Sequence, residues 1–92
     1  MYGFYINLDE RIDRFQYFEN LKVDFPFFNE LNRFNAIKNK NGAIGCGMSH
    51  IKILDSFIKN DNENVLMLCE DDICILNKDN FLKFIELFFK IF

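Results

Sequence analysis

Two rhythms of apolar and polar positions alternate along the chain, and together they mark six elements. "YGFYINL", Tyr2 to Leu8, is rich in β-formers and turns polar at Asp9, which predicts a first strand. In "DERIDRFQYFENLKV" Ile12, Phe15, Phe18 (or Tyr17) and Leu21 recur near helical spacing, with Asp9 placed to cap the helix. Pro26 interrupts any helix in the stretch that follows. "RFNAI", Arg33 to Ile37, reads as a short second strand, and Lys38 to Gly42 as a polar turn.

The segment "AIGCGMSHIKILDSFIKN" begins with small residues and continues as a helix. Its expected buried stripe is Met48, Ile51, Leu54 (or Ile53), Phe57 and Ile58. Val65 to Cys69 is a near-continuous apolar run, as expected of a central strand covered on both faces. The tail is helical from about Asp79, with Asp79 or Asn80 as cap.

The order β-α-β-α-β-α predicts one α/β domain over residues 1–92 with a mostly parallel sheet. Ligands of such sheets bind beyond the carboxyl ends of the strands. "NLDER" leaves the first strand and "EDD" ends the third, so both are expected along one edge.

Composition narrows this only slightly. Half of the residues are apolar, enough for a real core, while a net charge of −3 argues against a nucleic-acid-binding module. Thirteen phenylalanines accompany many Asn, Ile and Lys residues. These share AT-rich codons, so the aromatic content receives no functional weight. Cys46, Cys69 and Cys74 lack C-x-x-C spacing and the chain has one histidine, which argues against a structural zinc site and for reduced thiols. Neither a signal peptide nor a membrane span is visible, and a soluble cytoplasmic protein is expected.

The candidate chemistry begins with Glu70, Asp71 and Asp72. Adjacent acids repel unless a cation or hydrogen-bond donors offset them. Strand alternation sends Glu70 and Asp72 to one side and Asp71 to the other. Two carboxylates in one direction suit Mg²⁺ or Mn²⁺, whose Lewis acidity would neutralise a leaving diphosphate. Simple solvation of a polar strand end is the alternative.

Arg11 and Arg14 lie at i,i+3 on one helix face, either as a fork for phosphate or as partners of Asp9, Glu10 or Asp13. Gly42, Gly45 and Gly47 precede a helix, where a ligand can approach the backbone closely. Ser49 and His50 are either a cap-and-packing pair or a polar pair facing a pocket.

In order and approximate spacing, "INLDERIDR", "GAIGCGMSH" and "VLMLCEDD" resemble glycosyltransferase family 25, which includes lipooligosaccharide and collagen hydroxylysine galactosyltransferases. The matching residues are Ile6 to Asp9 with Arg11, Asp13 and Arg14, then Gly45, Cys46, Ser49 and His50, and finally Glu70 to Asp72.

The resemblance implies a partial GT-A-like, Rossmann-like fold that binds a nucleotide sugar. It would place Asn7, Leu8 and Asp9 near the nucleotide and Arg11 or Arg14 near its diphosphate, with Gly45, Ser49, His50 and Asp71 also lining the donor site. Asp72, assisted by Glu70, would hold Mn²⁺ or Mg²⁺. The implied reaction is transfer of a sugar, galactose from UDP-galactose, to a hydroxyl on a glycan or a hydroxylated protein.

The family's catalytic domain is about twice this length. The chain therefore reads as the donor-binding half of a transferase, with the general base outside it. The apolar "FLKFIELFFKIF" should be buried on several sides, by self-association or by a partner chain. A catalytically inactive remnant and a dimerisation module are the competing expectations.

Overall fold

The computed structural model describes residues 2–91. Three strands, β1 (Tyr2–Asn7), β2 (Asn32–Asn35) and β3 (Leu66–Glu70), form one sheet in the order β2-β1-β3. Both pairings are parallel, with Ile6 opposite Phe34 on one side and Glu70 on the other. Helices α1 (Ile12–Asp24), α2 (Gly42–Ile58) and α3 (Lys78–Ile91) alternate with the strands, and a 3₁₀ turn over Pro26–Glu30 precedes β2. The expected α/β class and parallel sheet are therefore present, but the run expected as the central strand is the edge strand β3, and β1 is central because both other strands pair with it.

Side-chain alternation along β1 separates two faces. Tyr5 points toward α1 and stacks on Phe18 with ring centroids 3.9 Å apart. Around this pair Phe25, Phe28, Leu31 and Cys69 close a buried cluster, with Phe15, Leu21, Met67 and Phe81 at its margin. Phe81 brings α3 onto the same face through ring contacts with Phe25 and Phe28. Three phenylalanines, Phe18, Phe25 and Phe28, are thus buried core, and Phe15, Phe27 and Phe81 pack against them.

The opposite face carries Tyr2, Phe4 and Ile6. Tyr2 meets Phe57 of α2 by ring contact and Ser56 by a hydroxyl hydrogen bond. Here α2 buries Gly45, Ser49 and Ile53, residues four apart on one line of the helix. The expected stripe is displaced by this line: Met48, Ile51, Leu54 and Ile58 are all exposed, and only the alternative Ile53 is buried. The reason is close approach. A Cβ on Gly45 would sit 2.5 Å from the Ile37 carbonyl oxygen, so the first turns of α2 face the protein with the small residues Gly45 and Ser49, and Ile53 is the large apolar residue that continues their line.

Other boundaries also move. Asp9 does not cap α1; the residue before the helix is Arg11, with no side-chain cap, because Asp9 is drawn to Arg33 and Asn35 on β2. Ile12 lies outside the core at the first turn of α1. β2 covers Asn32–Asn35 instead of Arg33–Ile37, since the chain leaves the sheet after Asn35 to meet α2. α3 starts at Lys78 under Asn77, whose side chain accepts from the Asn80 amide, so neither Asp79 nor Asn80 is the cap.

Candidate functional site

The carboxyl ends of all three strands open on one cleft of about 330 Å³. Ile6, Leu8, Glu10, Arg11 and Arg14 line it from β1 and α1. Ala36 to Asn39 follow from β2, Gly42 and Cys46 from α2, and Glu70 and Asp71 from β3. The position is the one expected for a ligand site in a parallel sheet.

Beneath the cleft lies a buried polar hub. Asn7, only 2% exposed at the end of β1, donates from Nδ2 to Asp71 Oδ2 at 2.9 Å and to the Arg11 carbonyl at 3.2 Å. Its Oδ1 accepts from Arg33 Nε at 2.9 Å, and its carbonyl accepts from the Arg33 guanidinium and the Ala36 amide. Asp71 also meets Arg14 at 3.5 Å. β1, β2 and the turn directly after β3 all contribute to this hub, so Asn7 acts as a fastener for the sheet end and is not itself in the main cleft. With Asp9, Ile12, Phe15 and Arg33 it borders a second, shallower depression.

Glu70 and Asp72 are exposed and Asp71 is buried, although it is Glu70 and Asp71 that line the cleft. β3 nevertheless ends at Glu70, and a turn follows in which the Ile73 amide returns to the Glu70 carbonyl. Glu70 lines the cleft, whereas Asp72 is not among the lining residues. A hard cation held jointly by Glu70 and Asp72 thus has one of its two carboxylates facing the cleft.

Each cation of the cleft already has an anion. Arg11 grips Asp13 with two bonds of 3.0 and 2.9 Å, Lys38 reaches Glu10 at 2.7 Å, and Arg14 reaches Asp71. The Arg11 fork holds the Asp13 carboxyl down to about 2. The Arg11–Asp13 and Lys38–Glu10 pairs are solvated, so an incoming phosphate can exchange for them at little cost, whereas the partner of Arg14 is the buried Asp71. Arg11 and Arg14 both line the cleft, but Arg11 precedes α1 and is not on its face, and its pairing with Asp13 is the alternative the sequence offered.

The glycine-rich segment serves packing first. Asn41 caps α2 by accepting from the amides of Ala43 and Ile44. Ser49, fully buried, accepts from the Ile37 amide at 2.8 Å and donates to the Gly45 carbonyl at 3.0 Å. It fastens the loop after β2 to α2 and does not line the cleft, which is the cap-and-packing alternative. His50 Nδ1 donates to the Cys46 carbonyl at 2.8 Å.

Cys46 Sγ donates to Glu70 Oε1 at 3.0 Å, a bond that, with the carboxylate's charge and some burial, pushes the thiol's pKa upward. One ligand atom from each of Cys46, His50 and Glu70 lies within 4.8 Å of the other two.

Lys38 and Cys46 received no site role from sequence. Lys38 is legible afterwards as the residue leaving β2 at the same sheet edge, and Cys46 with His50 as an i,i+4 pair on one helix face.

No protein family, curated protein or solved structure matches the chain. Among the described residues no helix is long and apolar enough to cross a membrane.

Proposed function

We propose that the cleft binds a nucleotide sugar and that the chain is the donor side of a glycosyltransferase of the family 25 type. The observation that carries this reading is convergence. Segments more than 60 residues apart, chosen for their resemblance to that family, border one cleft through Leu8, Arg11, Arg14, Cys46, Glu70 and Asp71. Arg11 and Arg14 offer guanidinium groups to a diphosphate, and Lys38 adds a third cation. Leu8 and Ile37 supply apolar walls for a base or sugar.

The donor is UDP-galactose and the acceptor a hydroxyl on a glycan or a hydroxylated protein, in the cytoplasm. Mn²⁺ or Mg²⁺, held by Glu70 with Asp72, would neutralise charge on the leaving diphosphate.

Calorimetric titration of UDP-galactose into the folded chain, with Mn²⁺ and then with chelator, tests the reading. Manganese-dependent binding that Asp72→Asn weakens and Lys90→Ala does not is the expected result. Absence of binding overturns the donor site; equal effects of the two substitutions overturn the hard-metal assignment alone.

A second reading, self-association through α3, is favoured by one observation. Phe84 and Leu87 are 60% and 59% exposed although α3 docks through Phe81. A mass that rises with concentration supports it, and a monomer throughout removes it.

A further inference from the structure

Cys46 and His50 lie one helical turn apart on α2, and Glu70 is the last residue of β3. Helix and strand therefore bring a sulfur, a nitrogen and an oxygen to one point at the margin of the cleft. The sulfur lies 3.0 Å from Glu70 Oε1 and 3.7 Å from His50 Nδ1. With metal–ligand bonds of about 2.0–2.3 Å, neighbouring ligands of a tetrahedral zinc ion are about 3.4–3.6 Å apart. The sulfur's two separations straddle that distance, and the third, between His50 and Glu70, is no more than 4.8 Å, so a cation enters with side-chain shifts of up to about an ångström.

We propose that Cys46, His50 and Glu70 form a three-ligand site for a thiophilic divalent cation of the zinc type, with its fourth position open to the cleft. The donor set decides the metal. Thiolate and imidazole suit zinc and related transition ions, whereas Mg²⁺ and Mn²⁺ prefer oxygen alone. The two walls decide the geometry. Cys46 and Glu70 both line the cleft, so the free position faces a space where water or a ligand oxygen can bind.

Binding replaces two existing hydrogen bonds by three bonds to the metal. The Cys46 thiol proton, now donated to Glu70, passes to solvent as the sulfur takes the cation. His50 moves its proton from Nδ1 to Nε2, giving up the bond that Nδ1–H donates to the Cys46 carbonyl, and presents the freed Nδ1 lone pair to the metal. The site takes the same Glu70 as the Mn²⁺ or Mg²⁺ assignment above and competes with it there; it does not depend on nucleotide binding, and its test uses no nucleotide.

Zn²⁺ is titrated calorimetrically into the reduced full chain, and Co²⁺ binding is followed by absorption. One Zn²⁺ per chain and a thiolate-to-cobalt charge-transfer band are the expected results. Removing a ligand should cost at least what losing an outer-shell partner does, about 10–100-fold in affinity. Cys46→Ser, His50→Ala and Glu70→Gln should each show this loss, while Cys74→Ser, at an exposed thiol elsewhere, should leave binding unchanged. No Zn²⁺ binding by the folded chain, binding indifferent to Cys46→Ser, or binding lost with Cys74→Ser would overturn the site. Should a variant fail to fold, the wild-type cobalt spectrum decides, because an oxygen-only octahedral spectrum excludes the thiolate.

Discussion

The two faces of the sheet are built from different materials. Under α1, the 3₁₀ turn and α3, aromatic rings fill the space: Tyr5, Phe18 and Phe28 are essentially inaccessible. Under α2 the contact line is Gly45, Ser49 and Ile53, and Met48, Ile51, Leu54 and Ile58 look outward. One face gains stability from apolar area. The other trades area for close backbone approach, which brings the loop after β2 and the start of α2 together beside the strand ends. Stability and the candidate site are thus assigned largely to opposite sides of one sheet.

Truncation should break this contrast most visibly. Phe28→Ala removes a fully buried ring that touches Phe18, Phe25, Phe27 and Phe81. It should lower the unfolding free energy by about 3–5 kcal/mol, which for a chain this small approaches global unfolding. Ile51→Ala on the outward side of α2 should change it by less than about 0.5 kcal/mol. Urea denaturation of the two variants measures the difference. Comparable losses would mean that α2 is covered in solution by a surface equivalent to a core.

A smaller effect sharpens the account of the thin face. Gly45→Ala places a methyl 2.5 Å from the Ile37 carbonyl oxygen and 3.3 Å from the Asn39 amide nitrogen. The neighbour is backbone, so the loop must move. The expected loss is about 1–3 kcal/mol, accompanied by shifted amide resonances over residues 36–39. Gly47→Ala meets nothing within 4 Å and should be neutral or slightly stabilising, since alanine favours the helix. Equal behaviour of the two variants would show that Gly45 is not a contact glycine.

That pair of glycines also shows where sequence reading succeeds and fails. Strand and helix order was legible because apolar periodicity is a local property, and the shared edge of "NLDER" and "EDD" followed from parallel topology. The buried line of α2 was not legible. Hydrophobic pattern assigns the large apolar residues to the interior, but here the partner is a loop backbone that only Gly and Ser can approach. Asp9 failed as a cap for a similar reason: Arg33 and Asn35 arrive from a strand 24 and 26 residues away. The buried hub around Asn7 and the Cys46–His50–Glu70 group likewise depend on contacts between distant segments. Alternation separated Asp71 from Glu70 and Asp72, but neither its burial nor its partners were readable.

The smallest effect concerns α1 alone, which carries both materials on one helix. Phe18 is sealed against Tyr5, while Asp13 and Arg11 form an exposed pair at the cleft. The Arg11 fork holds the Asp13 carboxyl at about 2, below the ordinary value of about 3.9 for an unfolded chain. A depressed carboxyl stabilises the folded state above its unfolded value, and that contribution is lost as pH falls through about 2. Because the pair is solvated, its weight in stability is slight and its use is as a reporter. Carboxyl chemical shifts should give a midpoint near 2 for Asp13 and a return toward the ordinary range in Arg11→Gln. Saturating UDP-galactose should produce the same rise if the diphosphate draws Arg11 away from Asp13. A midpoint unmoved by bound ligand would remove Arg11 from the donor site and leave Arg14 and Lys38 as the cationic wall of the cleft.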